Sequence, residues 1–224
     1  MVSAGIPQRA EAGVSLAELV EQAGTPKVFY AEPQRRDSLI AILAENGRAN
    51  PEELLRCLDT PWALHFEVVR RALESIGDGA RQAVIAELQQ KADPRYCASL
   101  LAVFEKLGLP GDEWIADSYL KSGQRSSIIP AVRCLAGFGR FEQSSRLLEP
   151  LLADSSAHVR LATVWALGNI CLRDSQIRPD AQLQDRIRSL LSDPLPQLRY
   201  QAAETLKIIS GEGVKVPVPL KGVR

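Results

Sequence analysis

The sequence has few of the features that mark a membrane, secreted or disulfide-stabilised protein. None of its apolar runs approaches the roughly eighteen consecutive residues that a membrane-spanning helix needs. The first fifteen residues lack the apolar stretch of a secretory signal. Four cysteines are too few for a disulfide scaffold in a chain of 224 residues. We therefore expect a soluble protein of a reducing compartment, the cytoplasm.

The sequence also has no excess of charge, because Lys plus Arg and Asp plus Glu both number 27. This balance argues against a dedicated nucleic-acid binder and against an acidic disordered chain. The charge is uneven along the chain, however. Residues 1–120 hold 12 basic and 18 acidic residues, a net of −6, and residues 121–224 hold 15 and 9, a net of +6. Such a split can orient a protein on a charged partner without determining its fold.

Motifs of known catalytic chemistry are missing too: there is no glycine-rich phosphate loop, no HExxH and no GxSxG. Cys57, Cys97, Cys134 and Cys171 form no CxxC pair, and we expect buried or half-buried structural thiols. The two histidines lie far apart in sequence without a nucleophile motif, and His158 is expected at a surface or cap. We predict no catalytic residue, no metal and no cofactor.

What the sequence does contain is an internal repeat. Similar segments end at residues 77, 108, 139 and 171, which gives spacings of 31, 31 and 32, and a fifth copy ends at 210. Each copy is preceded by two apolar patterns of helical period with a short break between them. In the clearest copy Leu148 and Leu152 lie in the first pattern, Asp154 opens the break, and Val159 and Leu167 lie in the second. A lone helix pair cannot bury its apolar faces, so we predict an all-α solenoid, a superhelix of about five stacked helical hairpins.

Local start signals agree with this division. Ser15 and Glu18 have the spacing of a capping box. Capping side chains precede prolines that we expect at the first helical position, in the pairs Asn50-Pro51, Thr60-Pro61 and Asp93-Pro94. Pro130 is expected inside a helix, which it should kink.

The organisation that follows has three parts. Residues 1–35 are expected to form an N-terminal segment with a short capping helix, and residues 36–210 the repeat solenoid. Residues 211–224 are expected to form an extended basic arm, because Pro217 and Pro219 exclude a helix there.

Two segments of the C-terminal half resemble the HEAT repeat, in particular the phycobilisome-lyase-like type. In DSSAHVRLATVWALGNI (154–170) the characteristic positions hold Asp154, Val159, Arg160, Ala162, Ala166, Leu167 and Gly168. In DPLPQLRYQAAETLKII (193–209) they hold Asp193, Leu198, Arg199, Ala202 and Leu206. The resemblance covers about 140–210; in 51–139 only the helix-pair period and the terminal glycines remain. It implies hairpins tied by a ladder in which Arg160 and Arg199 bond to Asp154 and Asp193; the alternative is that the same arginines bind an anion.

The resemblance also implies which side chains face a partner. Two positions of each second helix face away from the core in this family, on the concave surface of the stack. They identify the candidate partner-binding residues as Arg71, Ile129, Arg133, Leu161, Trp165, Tyr200 and Glu204. Exposed apolar clusters tend to be contact sites, and Trp, Tyr and Arg dominate interface energetics. The alternative is that Trp165 packs on the adjacent helix; Trp62 and Trp114 are expected in the core.

Members of the family are mostly protein-binding scaffolds. We therefore predict a non-enzymatic scaffold or adaptor that binds another protein on the concave face, in a possible hetero-complex without a membrane. Some members attach bilins to antenna proteins, so a bilin lyase or isomerase-type subunit is an alternative that rests on fold analogy. A distant group excises alkylated DNA bases, and a DNA-binding glycosylase is less favoured because the net charge is zero.

Overall fold

The computed structural model describes residues 14–90, 93–173, 176–177 and 179–210. The α-helices in these ranges are α1 (Leu16–Ala23), α2 (Pro33–Gly47), α3 (Pro51–Arg56), α4 (Ala63–Ile76), α5 (Asp78–Gln89), α6 (Pro94–Leu107), α7 (Glu113–Lys121), α8 (Arg125–Phe138), α9 (Phe141–Leu148), α10 (Ala157–Arg173), α11 (Ala181–Ser189) and α12 (Pro196–Ser210). A π-helical segment (Lys27–Ala31) precedes α2, and short 3-10 segments (Glu149–Ala153 and Leu190–Ser192) continue α9 and α11. The described ranges contain no strand. Among the helices described, none has the length and apolarity needed to span a bilayer.

From α3 onwards the helices alternate as the repeat predicts, in the hairpins α3–α4, α5–α6, α7–α8, α9–α10 and α11–α12. The second helices α4, α6 and α8 end at Ile76, Leu107 and Phe138, each directly before a predicted closing glycine. Helix α10 continues to Arg173, two residues beyond the predicted end. The prediction of an all-α fold of about five helical hairpins is confirmed in the residues that the structure describes.

The helices form two compact units, one up to Leu107 and one from Gly108 onwards. In the first unit α2 packs against α1 and α4, while α6 packs against α4 and α5. In the second unit α10 lies between α8 and α12, and each of these helices also contacts the first helix of its own hairpin. The second unit therefore contains a layer of three neighbouring helices, α8, α10 and α12.

The core of the second unit lies where each hairpin meets the next. Four leucines from three successive hairpins are completely buried: Leu135 on α8, Leu148 on α9, Leu167 on α10 and Leu198 on α12. Each such side chain stabilises the fold by roughly 1.5–3 kcal/mol relative to an exposed one. No hairpin buries these side chains alone, so the stability of each depends on its neighbours.

Small residues set how closely α10 and α12 approach. Ala166 and Ala202 are completely buried. A Cβ atom on Gly168 would lie 2.9 Å from Oγ1 of Thr205 on the neighbouring helix. That hydroxyl donates a hydrogen bond to the main-chain oxygen of Val164, 3.1 Å away. The glycine thus allows the direct bond between the two helices.

The predicted helix starts are largely as expected. The capping box of α1 is confirmed, because the Ser15 N–H donates to Glu18 Oε2 at 2.8 Å and the Glu18 N–H donates to Ser15 Oγ at 3.3 Å. Pro51 and Pro94 begin α3 and α6. Asp93 caps α6 by accepting from the Arg95 N–H at 2.8 Å, but the predicted cap at Asn50 is wrong, because its side chain makes no capping bond. The prediction for Pro61 is wrong, since α4 begins two residues later.

Thr60 explains the later start of α4. Its hydroxyl accepts a hydrogen bond from the Trp62 N–H at 3.2 Å, so the chain makes a short local turn before the helix begins.

Pro130 lies inside α8, as predicted. Residues 1–13 of the predicted N-terminal segment, and the whole predicted C-terminal arm (211–224), lie outside the described residues.

Candidate functional site

Six of the seven predicted partner-binding residues lie on the three-helix layer of the second unit. They come in pairs four residues apart, so each pair lies on one side of its helix. The pairs are Ile129 and Arg133 on α8, Leu161 and Trp165 on α10, and Tyr200 and Glu204 on α12. Because α10 packs between the other two helices, the three pairs occupy neighbouring positions. We call these six residues the layer face.

None of the residues of the layer face is buried. Tyr200 has 61% of its surface exposed, and Arg133 is also exposed. Leu161, Trp165 and the other members are half-buried. Trp165 is therefore partly covered by the residues around it and partly accessible to a partner. Its environment lies between the two expectations, an exposed contact residue and a ring packed on the adjacent helix.

Arg71, the seventh residue, belongs to α4 of the first unit. Its Nε donates to Oε1 of Glu67 at 2.7 Å, and its guanidinium carbon lies 5.7 Å from the centre of the Phe29 ring. Arg36 approaches the same ring at 5.3 Å. Phe29 belongs to the π-helical segment before α2. The guanidinium of Arg71 is thus engaged within its own unit by an ion pair and a cation–π contact.

Two residues beyond the predicted set continue the exposed side of α10. Asn169 is half-buried one turn after Trp165, and its amide donates to the Trp165 main-chain oxygen at 2.8 Å. Leu172 follows with 61% exposure. The spacing Leu161, Trp165, Asn169, Leu172 is that of one helix side, so the helical period could have identified both.

The predicted ladder residues are organised by the turns between helices. Arg160 donates from Nε and Nη2 to Oδ2 of Asp193, at 3.0 and 2.6 Å. Its Nη1 donates to the main-chain oxygen of Asp154 at 2.7 Å. Arg199 makes the equivalent main-chain bond, to the oxygen of Asp193 at 2.8 Å. The structure thus joins Arg160 to the carboxylate of the next hairpin, and joins each arginine to the backbone of its own turn.

Arg125 forms a further rung that the sequence did not single out. Its Nη1 lies 2.9 and 3.0 Å from the two carboxylate oxygens of Asp154. Burial alone would raise the pKa of Asp154, but the Ser156 N–H and the Arg125 guanidinium lower it below its ordinary value of 3.8. Arg125 precedes the motif position in its helix, so the consensus does not point to it.

A second buried acid joins α7 to the start of α9. Glu113 accepts hydrogen bonds from the N–H groups of Gly111 and Arg140, at 2.7 and 2.9 Å. Its side chain is only 5% exposed, and the Arg140 Nε lies 3.5 Å away. Burial alone would raise the pKa of Glu113, but these donors and the positive charge hold it below its ordinary value of 4.5.

A cleft of about 740 Å³ opens beside the C-terminal ends of α8 and α10, lined by apolar side chains such as Phe138 and Ile170 and by Arg173. Arg173 donates to the main-chain oxygens of Ala136 and Gly139 at the end of α8. Burial lowers the pKa of Arg173. A cation is stabilised at a helix C-terminus, so this arginine ties α10 to the last turn of α8.

Two tryptophans are not where the sequence predicts. Trp62 is 66% exposed and Trp114 is 49% exposed, so the expectation that both belong to the core is wrong. Trp62 is the residue before α4, and Trp114 lies in the first turn of α7. At these helix ends, neighbouring elements cover too little of the ring to bury it.

The cysteines are buried or half-buried, as predicted. Cys97, Cys134 and Cys171 are buried, Cys57 is half-buried, and none of these four described residues forms a disulfide. Burial and the nearby Glu53 raise the pKa of the Cys57 thiol. Within the described ranges, no three His, Cys, Asp or Glu side chains lie together as metal ligands would.

Comparison with known proteins agrees with this architecture. The HEAT repeat family pattern matches residues 146–173, the segment that carries Asp154, Arg160 and Trp165. No curated protein matches the sequence. The phycobilisome-lyase-like subtype stays a prediction.

Two solved structures are similar to the chain. The crystal structure of an engineered protein from the Northeast Structural Genomics Consortium is 20% identical and covers 88% of this chain and 89% of its own, with a TM-score of 0.51. A designed armadillo repeat protein is 16% identical and covers 87% of this chain and 100% of its own, with a TM-score of 0.45. Together with the HEAT match and the hairpins, the first likeness identifies the fold as an all-α solenoid.

Proposed function

We propose that this protein is a non-enzymatic interaction scaffold that binds a protein partner through the layer face, which we expect to lie on the concave side of the solenoid. The observation that carries the proposal is the grouping of four accessible apolar or aromatic side chains on neighbouring helices. They are Ile129, Leu161, Trp165 and Tyr200, and none of them is buried. A solenoid uses one side of each helix for stacking, and the side left accessible offers a continuous surface for a partner.

The composition of the layer face supports binding to a protein. Trp, Tyr and Arg are the residue types that contribute most at protein interfaces, and the layer face has one of each. Trp165 lies at the centre, because α10 is the middle helix of the three. A half-buried ring has already lost part of its rotamer freedom, so its immobilisation on binding costs less.

The charges of the layer face indicate how a partner would be oriented. Arg133 on α8 and Glu204 on α12 lie at the equivalent position to Trp165, on opposite sides of it. A partner segment that crosses the three helices would therefore meet a positive, an aromatic and a negative side chain in turn. Complementary charges of this kind fix the direction of binding more than they add affinity.

The test is affinity capture of the partner from the native cell, with Trp165→Ala and Tyr200→Ala compared with the unchanged chain. We expect both variants to lose the partner. Tyr200→Ala should keep the melting temperature, because the ring is 61% exposed, whereas half-buried Trp165 should show a modest decrease. Trp62→Ala is the matched control, since it removes an aromatic side chain that is 66% exposed in the first unit.

Two results would refute the proposal. If Tyr200→Ala and Trp165→Ala both unfold the chain, the residues are part of the core. If Trp62→Ala loses the partner as completely as they do, the binding surface lies elsewhere. Arg71 is left out of the proposed surface because Glu67 and Phe29 engage its guanidinium.

The other functions that the sequence suggested are separated by direct assays. A bilin lyase or isomerase-type subunit would transfer colour to an antenna apoprotein co-expressed with bilin, which visible absorption detects. A DNA glycosylase would shift DNA in a gel, with binding that weakens steeply as salt rises. We expect neither signal. We also propose a cytoplasmic location, which the four cysteines support because none of them forms a disulfide in the described residues.

A further inference from the structure

Arg199, in the hairpin α11–α12, is held in place like Arg160 in the preceding hairpin. Arg160 donates from Nη1 to the main-chain oxygens of Asp154 and Ser155, at 2.7 and 3.3 Å. Arg199 donates from Nη1 to the main-chain oxygens of Asp193 and Pro194, at 2.8 and 3.2 Å. In both cases the acceptors lie six and five residues before the arginine. The two guanidinium groups are therefore fixed to their own turns by the same pair of bonds.

The two arginines differ in what their other edge binds. The Nε–Nη2 edge of Arg160 binds the carboxylate of Asp193 in the next hairpin. For Arg199 no acceptor of that edge occurs in the ranges 14–90, 93–173, 176–177 and 179–210. Glu204 is the acidic residue that follows on the same helix, but it lies five residues further on. The two side chains are therefore about 140° apart around the helix axis and do not face each other. The half-buried Arg199 thus presents a fork of donors without the carboxylate that its counterpart has.

The ion pairs Arg125–Asp154 and Arg160–Asp193 show how a carboxylate is presented to a ladder arginine. Asp154 and Asp193 each lie in the turn between the helices of a hairpin. The Oδ1 atom of each accepts from the N–H two residues on, Ser156 at 2.8 Å and Leu195 at 2.9 Å. This bond orients the carboxylate toward the arginine of the preceding hairpin. The ligand in each rung is therefore an aspartate presented by an inter-helix turn.

We propose that the Nε–Nη2 edge of Arg199 is a binding site for a carboxylate, and that its ligand is an inter-helix aspartate in a helical hairpin of a partner protein that stacks on α11 and α12. The planar guanidinium can donate two parallel hydrogen bonds to a carboxylate. The bonds from Nη1 to the main chain fix the orientation of the guanidinium before a ligand binds. The net charge of +6 over residues 121–224 attracts an acidic turn. This site is separate from the layer face, so either proposal can fail without the other.

The first test supplies such an aspartate within one chain. Residues 179–210 are duplicated directly after Ser210 in the full chain, which places a second copy of the Asp193 turn next to Arg199. A double-mutant cycle of urea unfolding then combines two changes. Arg199→Gln is made only in the original copy, and Asp193→Asn is made only in the duplicated copy. We expect each single change to lower the folding equilibrium constant about tenfold, and the double change to lower it no further. Additive effects would overturn the proposal.

A matched control distinguishes the loss of a specific Arg199–aspartate ion pair from the general effect of removing a positive charge. Arg188→Gln removes an arginine of α11 whose side chain is 53% exposed and whose ion pair in the described part of the chain is a local one, with Asp185. We expect Arg188→Gln to have the same small effect with either form of the duplicated aspartate. A coupling as large as that of Arg199 would contradict the proposal.

The second test uses the chain without the duplication and identifies the source of the carboxylate. A photoreactive amino acid replaces Pro196, an exposed residue one turn before Arg199, and cross-links formed in the native cell are mapped by mass spectrometry. We expect them in an acidic inter-helix turn of another helical protein, and we expect Arg199→Gln to remove them. Cross-links to a second copy of this chain, or to its own residues 211–224, would overturn the assignment to a partner, as would cross-links that survive Arg199→Gln.

Discussion

Replacing Arg160 by Met tests whether the ladder holds neighbouring hairpins together. The Arg160 side chain is 16% exposed and that of Asp193 is 6% exposed, so the ion pair is largely removed from water. Methionine keeps much of the unbranched stem but cannot donate to Asp193 or to the main-chain oxygen of Asp154. The substitution therefore leaves a buried carboxylate without its counter-charge.

The size of the effect follows from burial. Breaking a buried ion pair by removing one partner typically costs about 3–5 kcal/mol. Asp193 keeps one donor, the Leu195 N–H at 2.9 Å, so we expect a value near the lower end, about 3 kcal/mol. Arg125→Met is the matched control, because its pair with Asp154 has an arginine that is 62% exposed. An exposed pair of this kind contributes below about 1 kcal/mol.

Urea unfolding in a background with Trp62→Phe and Trp114→Phe measures the difference. Both replaced tryptophans are exposed, so Trp165 on α10 becomes the only indole reporter of the helix that carries Arg160. Asp193→Asn completes a double-mutant cycle, in which we expect the double variant to lose less than the sum of the single variants. Equal losses for Arg160→Met and Arg125→Met would refute the argument from burial. So would a loss within about 0.5 kcal/mol of zero for Arg160→Met.

Two further predictions concern the second unit. The pKa of Glu113 is lowered in the folded state, so its stabilising contribution is present above the ordinary value of 4.5 and is lost as the pH falls through the folded value. The difference in unfolding free energy between the unchanged chain and Glu113→Gln should therefore shrink below about pH 4.5, and a difference that grows there would contradict the assigned direction. Gly168→Ala should destabilise the chain by about 1–3 kcal/mol in urea unfolding, because the new Cβ would lie 2.9 Å from Thr205 Oγ1. Thr205→Ala in the same chain should recover part of that loss, and no recovery would show that the contact is not the cause.

Helix identity and repeat length were predictable because they depend on local signals. The closing glycines at 77, 108 and 139 follow the last residues of α4, α6 and α8 directly. The Ser15 capping box depends on residues three apart, and its hydrogen bonds form as the spacing requires. Such signals involve residues that are close in sequence, so neighbouring units cannot easily override them.

The environment of individual side chains was harder to predict, because it depends on other helices. Trp62 and Trp114 have the hydrophobicity of core residues, but each lies at a helix end with too few neighbours to cover it. Arg71 occupies the same repeat position as Trp165, yet the π-helical segment that carries Phe29 occurs only before α2 among the described helices. Arg125 lies outside the repeat motif, yet it binds Asp154, which is 29 residues further along the chain.

The ladder and the layer face use different sides of the same helix, which makes their roles separable. Arg160 and Trp165 are five residues apart and so lie about 140° apart around α10. Arg160 contacts the turns at the end of the layer, whereas Trp165 is partly accessible between α8 and α12. Side chains that do not touch usually contribute additively to stability. Substitutions on the layer face can therefore change which partner is bound while the ladder keeps the hairpins stacked, and Arg160→Met should weaken binding only to the extent that it unfolds the second unit.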